Sequence, residues 1–152
     1  MTFASCQLNS VMETGHWLLH EGVIIDETTF GFIYEITNLV TNKKYIGKKQ
    51  CKSRLKRKPL KGKKKNRIEI KESDWKGYTS SSNDLNADIL ELGKEKFVFK
   101  ILRTCNSKWE LAYFEIKEQI SRDVLLRDDY YNGIINVRIG TPPAEFKSRF
   151  VE

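Results

Sequence analysis

The chain has little cysteine and proline and no long apolar run. Its three cysteines, Cys6, Cys51 and Cys105, lie far apart and form no CxxC pair, so the sequence predicts neither a disulfide framework nor a zinc cluster. No apolar stretch is long enough to span a bilayer, and the N-terminal residues lack the basic stretch and apolar run of a secretion signal. We therefore expect a reducing, cytoplasmic setting and no membrane partner.

The length of 152 residues suits one domain with a hydrophobic core. We expect an N-terminal appendage over residues 1–30, a main domain over residues 31–139 and a short tail over residues 140–152. A basic insertion occupies about residues 48–71 of the main domain. Because these additions are small, a separate recognition domain is not expected.

The positive charge is concentrated in one segment. Residues 48–71 hold thirteen Lys or Arg against the single acid Glu69, whereas the whole chain has a net charge of +7. Such a patch attracts a polyanion, because each neutralised phosphate releases counterions. A membrane surface is disfavoured because Pro59 and Gly62 interrupt any amphipathic helix, and a solvated loop without a partner is the plain alternative. The residues predicted to contact nucleic acid here are Lys49, Lys52, Lys56, Lys58, Lys61, Lys63, Lys64, Lys65 and Arg67.

Local patterns predict five elements in the main domain. Residues 32–37 and 43–48 are rich in β-branched and aromatic side chains and predict a β-hairpin. The apolar spacing within residues 85–92 predicts a helix, and alternation within residues 97–103 predicts a strand. A capping box at Ser107–Glu110 opens a second helix. The order strand, strand, helix, strand, helix predicts an α/β (α+β) fold.

The hairpin places two tyrosines on neighbouring strands. The chain reads Phe32-Ile33-Tyr34, then ten residues, then Tyr45-Ile46-Gly47-Lys48. Ordinary cross-strand packing is the plain interpretation of such a pair. The arrangement nevertheless resembles the signature of the GIY-YIG nucleases, although Phe32 stands where glycine is usual and Gly31 precedes it.

Later motifs strengthen this resemblance. A serine pair, Ser81-Ser82, is followed by the predicted helix, Gly93, the strand around residues 101–102, a helical glutamate and a Tyr131-Asn132 pair. The resemblance covers about residues 31–137 and is closest to phage-encoded GIY-YIG endonucleases. It implies a small three-stranded antiparallel sheet flanked by helices, and the serine pair would contact nucleic acid.

The resemblance also implies a catalytic site with one divalent metal ion, Mg²⁺ or Mn²⁺. Glu115 is the best match to the metal-holding glutamate, and Glu118 is the alternative. Tyr34 would be the general base, and Tyr45 would orient water or phosphate. Lys48 would help to favour the phenolate of Tyr34, whose free pKa near 10 is poorly suited to neutral pH.

Two further side chains complete the implied site. The family arginine lies on a helix that begins after the YIG glycine, and this chain offers Arg57 as the first choice and Arg54 as the second. Both could instead be ordinary phosphate contacts. Asn132 would form hydrogen bonds around the site, although an asparagine before Gly133 is also typical of a turn.

The sequence therefore favours a metal-dependent endonuclease that hydrolyses double-stranded DNA, as a phage homing-type or DNA-degrading nuclease acting in the host cytoplasm. A homodimer or a protein partner would supply specificity. The alternative is a non-catalytic nucleic-acid-binding module that retains the fold, and a basic RNA-associated protein is a third interpretation. The presence of every catalytic position favours the enzyme.

The only histidines, His16 and His20, stand four residues apart. That spacing could bind zinc on a helix, but no cysteine lies near them. We therefore expect surface residues that flank an apolar Trp-Leu-Leu patch.

Overall fold

The computed structural model describes residues 13–136 and 138–149. Within these residues the chain forms six strands and three α-helices. The strands are β1 (Trp17–Leu19), β2 (Gly31–Asn38), β3 (Lys44–Gln50), β4 (Lys52–Arg57), β5 (Arg67–Glu72) and β6 (Phe97–Cys105). The helices are α1 (Asn83–Leu92), α2 (Lys108–Ser121) and α3 (Ala144–Ser148). No helix in the described part of the chain is both long and apolar enough to cross a membrane.

Four strands form the main sheet in the order β1-β6-β2-β3. Strand β2 is antiparallel to both β3 and β6, so the α+β class and the three antiparallel strands are confirmed. The sheet is mixed rather than purely antiparallel, because β1 pairs in parallel with β6 and sets Trp17 opposite Phe99. Trp17 is only 2% exposed, and burial of its large ring explains why the predicted appendage contributes a strand.

Helix caps account for the two longer helices, both of which were predicted. The Ser82 side chain accepts a hydrogen bond from the Leu85 amide at the start of α1, which ends at Gly93 with φ of 94°. The Ser107 side chain accepts from the Glu110 amide at the start of α2. These local signals need no tertiary contact, so they can be identified in the sequence.

The two faces of the sheet bury separate cores. Phe32, Tyr34 and Ile36 alternate onto one face and pack with Trp17 and Trp75. Ile33 and Ile46 lie on the other face and pack with Leu111 of α2 and with Val124. The hairpin tyrosines and helix α2 therefore approach β3 from opposite sides of the sheet.

Strands β4 and β5 form a separate two-stranded sheet, so the helix expected after Gly47 is absent and that expectation is wrong. Of the side chains in residues 52–57, only Leu55 is aliphatic, and a helix there would have no apolar stripe to bury. A hairpin instead pairs these residues with the β-branched Ile68 and Ile70 of β5.

The N-terminal expectations have mixed outcomes. Residues 10–12 of the predicted capping box Ser10–Glu13 lie outside the described residues, and Glu13 is not helical. His16 is half-buried rather than fully exposed, because its ring stacks on Phe99 with centroids 3.9 Å apart, whereas His20 is exposed as expected. Burial lowers the pKa of His16 to about 4, so this histidine is neutral at neutral pH.

Candidate active site

Strands β2 and β3 place Tyr34 directly opposite Gly47 in the antiparallel ladder. Tyr34 is 1% exposed, because it belongs to the aromatic core on its face of the sheet. Tyr45 lies two residues before Gly47 on the same face, and its ring centroid is 6.1 Å from that of Tyr34. The structure therefore brings the two motif tyrosines together, with Tyr45 the more accessible of the pair.

A third phenol joins this pair. The ring of Tyr78 lies 6.3 Å from that of Tyr34 in an edge-on arrangement, and the two side chains share a hydrogen bond. Sequence reasoning missed Tyr78, which follows the 3₁₀ turn Trp75–Gly77. The one feature of the sequence that could have indicated a role for Tyr78 is its position just before the serines at residues 80–82.

The surroundings of the hairpin phenols oppose ionisation. Burial, followed by the neighbouring phenols and the Glu115 carboxylate, raises the pKa of Tyr34 well above its ordinary value of 10.0. Burial also raises the pKa of Tyr45, although a hydrogen bond from Ser81 opposes this shift. Both tyrosines are therefore protonated at neutral pH in the protein alone.

Helix α2 presents Glu115 to the end of β3. The Glu115 carboxylate lies 3.6 Å from Lys48 Nζ, and its side chain is 12% exposed. Burial raises the pKa of Glu115, and the Lys48 ammonium only partly opposes this shift. The site thus holds a poorly solvated carboxylate whose charge also acts on both hairpin phenols.

Glu118, the alternative ligand, has other partners. Its carboxylate accepts a hydrogen bond of 3.0 Å from Arg122 Nε, and Arg122 Nη1 contacts Glu35 at 2.5 Å. These contacts already neutralise part of the charge on Glu118 and tie the C-terminal end of α2 to β2. Glu115 is the glutamate that contacts Lys48 and whose charge acts on the two hairpin tyrosines.

Asn132 contacts the backbone of β3. Its side chain accepts from the Ile46 amide at 3.0 Å and donates to the Ile46 carbonyl at 2.8 Å. Gln119, one turn after Glu115 on α2, donates to the same carbonyl at 3.0 Å. Asn132 is therefore more than a turn residue, and the two amides hold β3 between Tyr45 and Gly47. Gln119 follows Glu115 by four residues and so lies on the same side of the helix, which could have indicated this second contact from the sequence.

Lys49 and the serine pair border the phenols. Lys49 Nζ lies 2.7 Å from Asp74 and 4.1 Å from the centroid of the Tyr78 ring. Ser81 is exposed beside Tyr45, whereas the Ser82 hydroxyl is used to cap α1. Lys49 is therefore held beside the phenols by Asp74 and Tyr78, Ser81 is exposed beside the site, and the Ser82 cap is intrinsic to the fold.

The candidate arginines lie on the hairpin of β4 and β5. Arg57 Nε is 2.6 Å from Glu69, and Arg54 stands opposite Ile70 in the ladder. Neither contacts the tyrosines or Glu115 within the described residues. The lysines at 61, 63, 64 and 65 lie in the exposed segment that joins the two strands.

The metal ligands available at this site are those of a Mg²⁺-like ion and not those of a structural metal site. The described residues contain no group of three or more His, Cys, Asp or Glu that could enclose an ion. Mg²⁺ is commonly bound through one or two carboxylates and keeps several waters. Glu115 meets that requirement, because among the described residues its poorly solvated carboxylate pairs only with Lys48.

Comparisons with known proteins bear on this geometry. A family model described as "Putative endonuclease segE, GIY-YIG domain" matches residues 17–135. The match begins at strand β1 and includes both tyrosines, Glu115 and Asn132. No curated protein matches the chain, and no solved structure matches it.

Proposed function

Because the chain belongs to the GIY-YIG endonuclease family, whose model matches most of its length, we propose that it hydrolyses phosphodiester bonds of double-stranded DNA with one Mg²⁺ or Mn²⁺ ion. The observation that carries this proposal is the position of Glu115, at 3.6 Å from Lys48 and in electrostatic reach of both hairpin phenols. A non-catalytic domain has no need to keep a poorly solvated carboxylate there.

The residues divide the chemistry among them. Glu115 would hold the ion, which would supply a Lewis acid for the charge that develops on the phosphate and for deprotonation of water. Lys48 would contact the phosphate from the same side. Tyr45, the more accessible phenol, would orient water or phosphate, and Ser81 would fix its hydroxyl. Asn132 acts as a positioning residue, because it holds the Ile46 backbone.

Tyr34 would accept the proton of the attacking water. Burial opposes this role by raising the pKa of the phenol, so only a small fraction of Tyr34 is ionised at neutral pH. A cation beside Glu115 would offset the repulsion from that carboxylate but not the desolvation. The rate of cleavage should therefore rise with pH across the neutral range.

Arg54 and Arg57 are candidates for neutralising the phosphate in the transition state. Their place on the hairpin of β4 and β5 would require DNA to bridge the hairpin and the tyrosines. Single-turnover cleavage by Arg54→Ala and by Arg57→Ala, at saturating protein, separates the two. A catalytic arginine lowers the rate at saturation, whereas a binding arginine raises only the concentration needed to saturate.

Both a homing-type nuclease and a DNA-degrading nuclease suit this chemistry. The first would cut a long DNA at few positions, and the second would cut at many. A homodimer or a protein partner would restrict cutting to fewer positions.

Supercoiled plasmid tests the proposal, with linear and branched DNA incubated in parallel. We expect Mg²⁺ or Mn²⁺ to convert the supercoiled form to nicked or linear DNA, and we expect EDTA to stop the reaction. A gel-shift in EDTA on the same preparation measures binding. Tight binding without cutting on every substrate and with either metal would favour the non-catalytic module instead.

A further inference from the structure

The hairpin of β4 and β5, here termed the basic ribbon (residues 52–72), stands apart from the main sheet. It holds eleven Lys or Arg against two Glu, a local net of +9. At its base, the Ser73 amide donates to the Cys51 carbonyl and the Ser73 hydroxyl contacts the Gln50 carbonyl. Every residue of β5 is exposed, so the ribbon projects from an anchored base into solvent.

The two faces of the ribbon differ in chemistry. In an antiparallel ladder, opposed residues share a face. We term one side the arginine-isoleucine face, and it presents Lys52, Arg54, Lys56, Ile68, Ile70 and Glu72. The other side, the glutamate face, presents Ser53, Leu55, Arg57, Arg67, Glu69 and Lys71.

The charges on the glutamate face are internally engaged. Glu69 accepts from Arg57 at 2.6 Å, and Arg67 and Lys71 lie close enough to lower the pKa of its carboxyl further. Leu55 and Ser53 are partly covered on this side. Each face carries three cations and one glutamate, but on this face the glutamate pairs with an arginine of the same face and two side chains are partly covered.

The arginine-isoleucine face is open toward the tip. Arg54 and Lys56 make no ion pair within the described residues, and Ile68 and Ile70 are 54% and 66% exposed. The two isoleucines favour the hairpin as β-branched residues, but more than half of the surface of each is left uncovered between these cations. Arginine recognises the O6 and N7 atoms of guanine in the major groove, and apolar side chains contact the thymine methyl group there.

The dimensions agree with this chemistry. Six residues of strand span about 20 Å, and two paired strands lie about 5 Å apart. The major groove is about 12 Å wide and admits a two-stranded β-ribbon. A second copy of the chain is a poor occupant, because two ribbons of net +9 would repel each other.

We propose that the arginine-isoleucine face of the basic ribbon enters the major groove of duplex DNA and contacts base edges. The lysines of the connecting segment would hold the flanking phosphates. This proposal deepens the proposed function, because it assigns the source of cutting preference to residues of the ribbon, and it rests on DNA being the substrate.

Dimethyl sulfate provides a test that does not need cleavage, because it methylates guanine N7 in the major groove and adenine N3 in the minor groove. Duplex DNA of mixed sequence is saturated with the parent protein in EDTA and then treated. We expect protection of guanine N7 with little change at adenine N3, because the two atoms lie in different grooves. Protection at adenine N3 alone, or at neither atom, would overturn the proposal.

Two matched variants show which face is responsible. Arg54→Ala and Lys71→Ala each remove one cation from the ribbon, but on opposite faces. Arg54→Ala should raise the protein concentration required for N7 protection roughly tenfold, as expected for the loss of one base contact. Lys71→Ala should leave the protection pattern unchanged, and circular dichroism verifies that both variants fold. Equal loss in both variants would mean that the ribbon contacts phosphates only, which contradicts the proposal.

Failure of the ribbon proposal can be distinguished from failure of the proposed nuclease function. A protein that never cuts DNA but protects guanine N7 through Arg54 supports the ribbon proposal and refutes the nuclease assignment. A protein that cuts DNA without N7 protection refutes the ribbon proposal alone.

Discussion

Gly47 and Tyr34 are in direct contact across the β2–β3 ladder, and only glycine fits there. A Cβ atom at residue 47 would lie 2.5 Å from the Tyr34 hydroxyl oxygen and 2.7 Å from the adjoining ring carbon. The Tyr34 ring cannot withdraw easily, because it is buried against Trp17, with ring centroids 5.0 Å apart. The glycine of the motif thus provides space for the phenol of the opposite strand.

Gly47→Ala should therefore damage both stability and activity. The new methyl group must displace a packed ring, and overpacking of this kind costs about 1–3 kcal/mol. Gly140→Ala is the matched control, because nothing lies within 4 Å of a Cβ at that position. Chemical denaturation and plasmid cleavage measure the two effects, and a Gly47→Ala protein equal to the parent in both would show that Tyr34 is not held by this contact.

Tyr34→Phe separates the phenol oxygen from the packing of the ring. We expect folding and DNA binding to persist while cleavage falls about a hundredfold or more. Tyr45→Phe should have a milder effect, and Tyr113→Phe, whose ring stacks on Trp109 of α2, should have none. If both hairpin variants cleave like the parent, the two tyrosines are structural.

The pH dependence tests the role of Tyr34 separately. Its pKa is raised by burial, so the ionised fraction grows about tenfold per pH unit across the neutral range. The parent rate should rise accordingly between about pH 6 and pH 9, and Tyr34→Phe should flatten this rise. An unchanged slope in the variant would assign the titration to another group.

The lysines at the tip of the ribbon should control the salt dependence of binding. If roughly six cations contact phosphates, log affinity should fall against log salt with a slope near −5. Replacing Lys61, Lys63, Lys64 and Lys65 with glutamine should flatten the slope by about three units. A control variant replaces four exposed lysines elsewhere, namely Lys94, Lys96, Lys117 and Lys147. Equal slopes in the two variants would show that the ribbon is not the principal contact.

Glu115 should reduce the stability of the metal-free protein at neutral pH. Its pKa in the folded protein is raised above 4.5 by burial, so stability is lost as the pH rises from 4.5 through the folded pKa. Glu115→Gln should therefore melt at a higher temperature than the parent near pH 7 in EDTA. The difference should vanish near pH 4, where the parent carboxyl is protonated in both states. A lower melting temperature at pH 7 would mean that the Lys48 contact outweighs burial.

Residues with local signals could be predicted from the sequence. The caps at Ser82 and Ser107 and the periodicity of α1 lie within a few residues of one another, so the helices were predicted correctly. The hairpin of Tyr34 and Tyr45 also depends on short-range pattern. A capping hydroxyl or an apolar periodicity can be recognised in the amino-acid sequence without the structure.

Contacts between distant residues could not be predicted in this way. Tyr78 meets Tyr34 across 44 positions of chain, and Asn132 meets Ile46 across 86. Strand β1 pairs with β6 across about 80 positions of chain, with Trp17 opposite Phe99. The ribbon formed in place of an expected helix because residues 52–57 pair with β5, a strand ten residues further along the chain, and the dense positive charge gave no local sign of this pairing.

Cleavage by Glu115→Gln tests the central claim most directly. The substitution removes the metal-holding charge and little volume, and Glu118→Gln, one turn away, is the matched control. A plasmid time course with Mg²⁺ and with EDTA is paired with a gel-shift on the same preparations. We expect the parent to cut only with the metal, Glu115→Gln to bind DNA but not cut it, and Glu118→Gln to lose less activity. Full activity of the parent in EDTA, or of Glu115→Gln in Mg²⁺, would contradict the account.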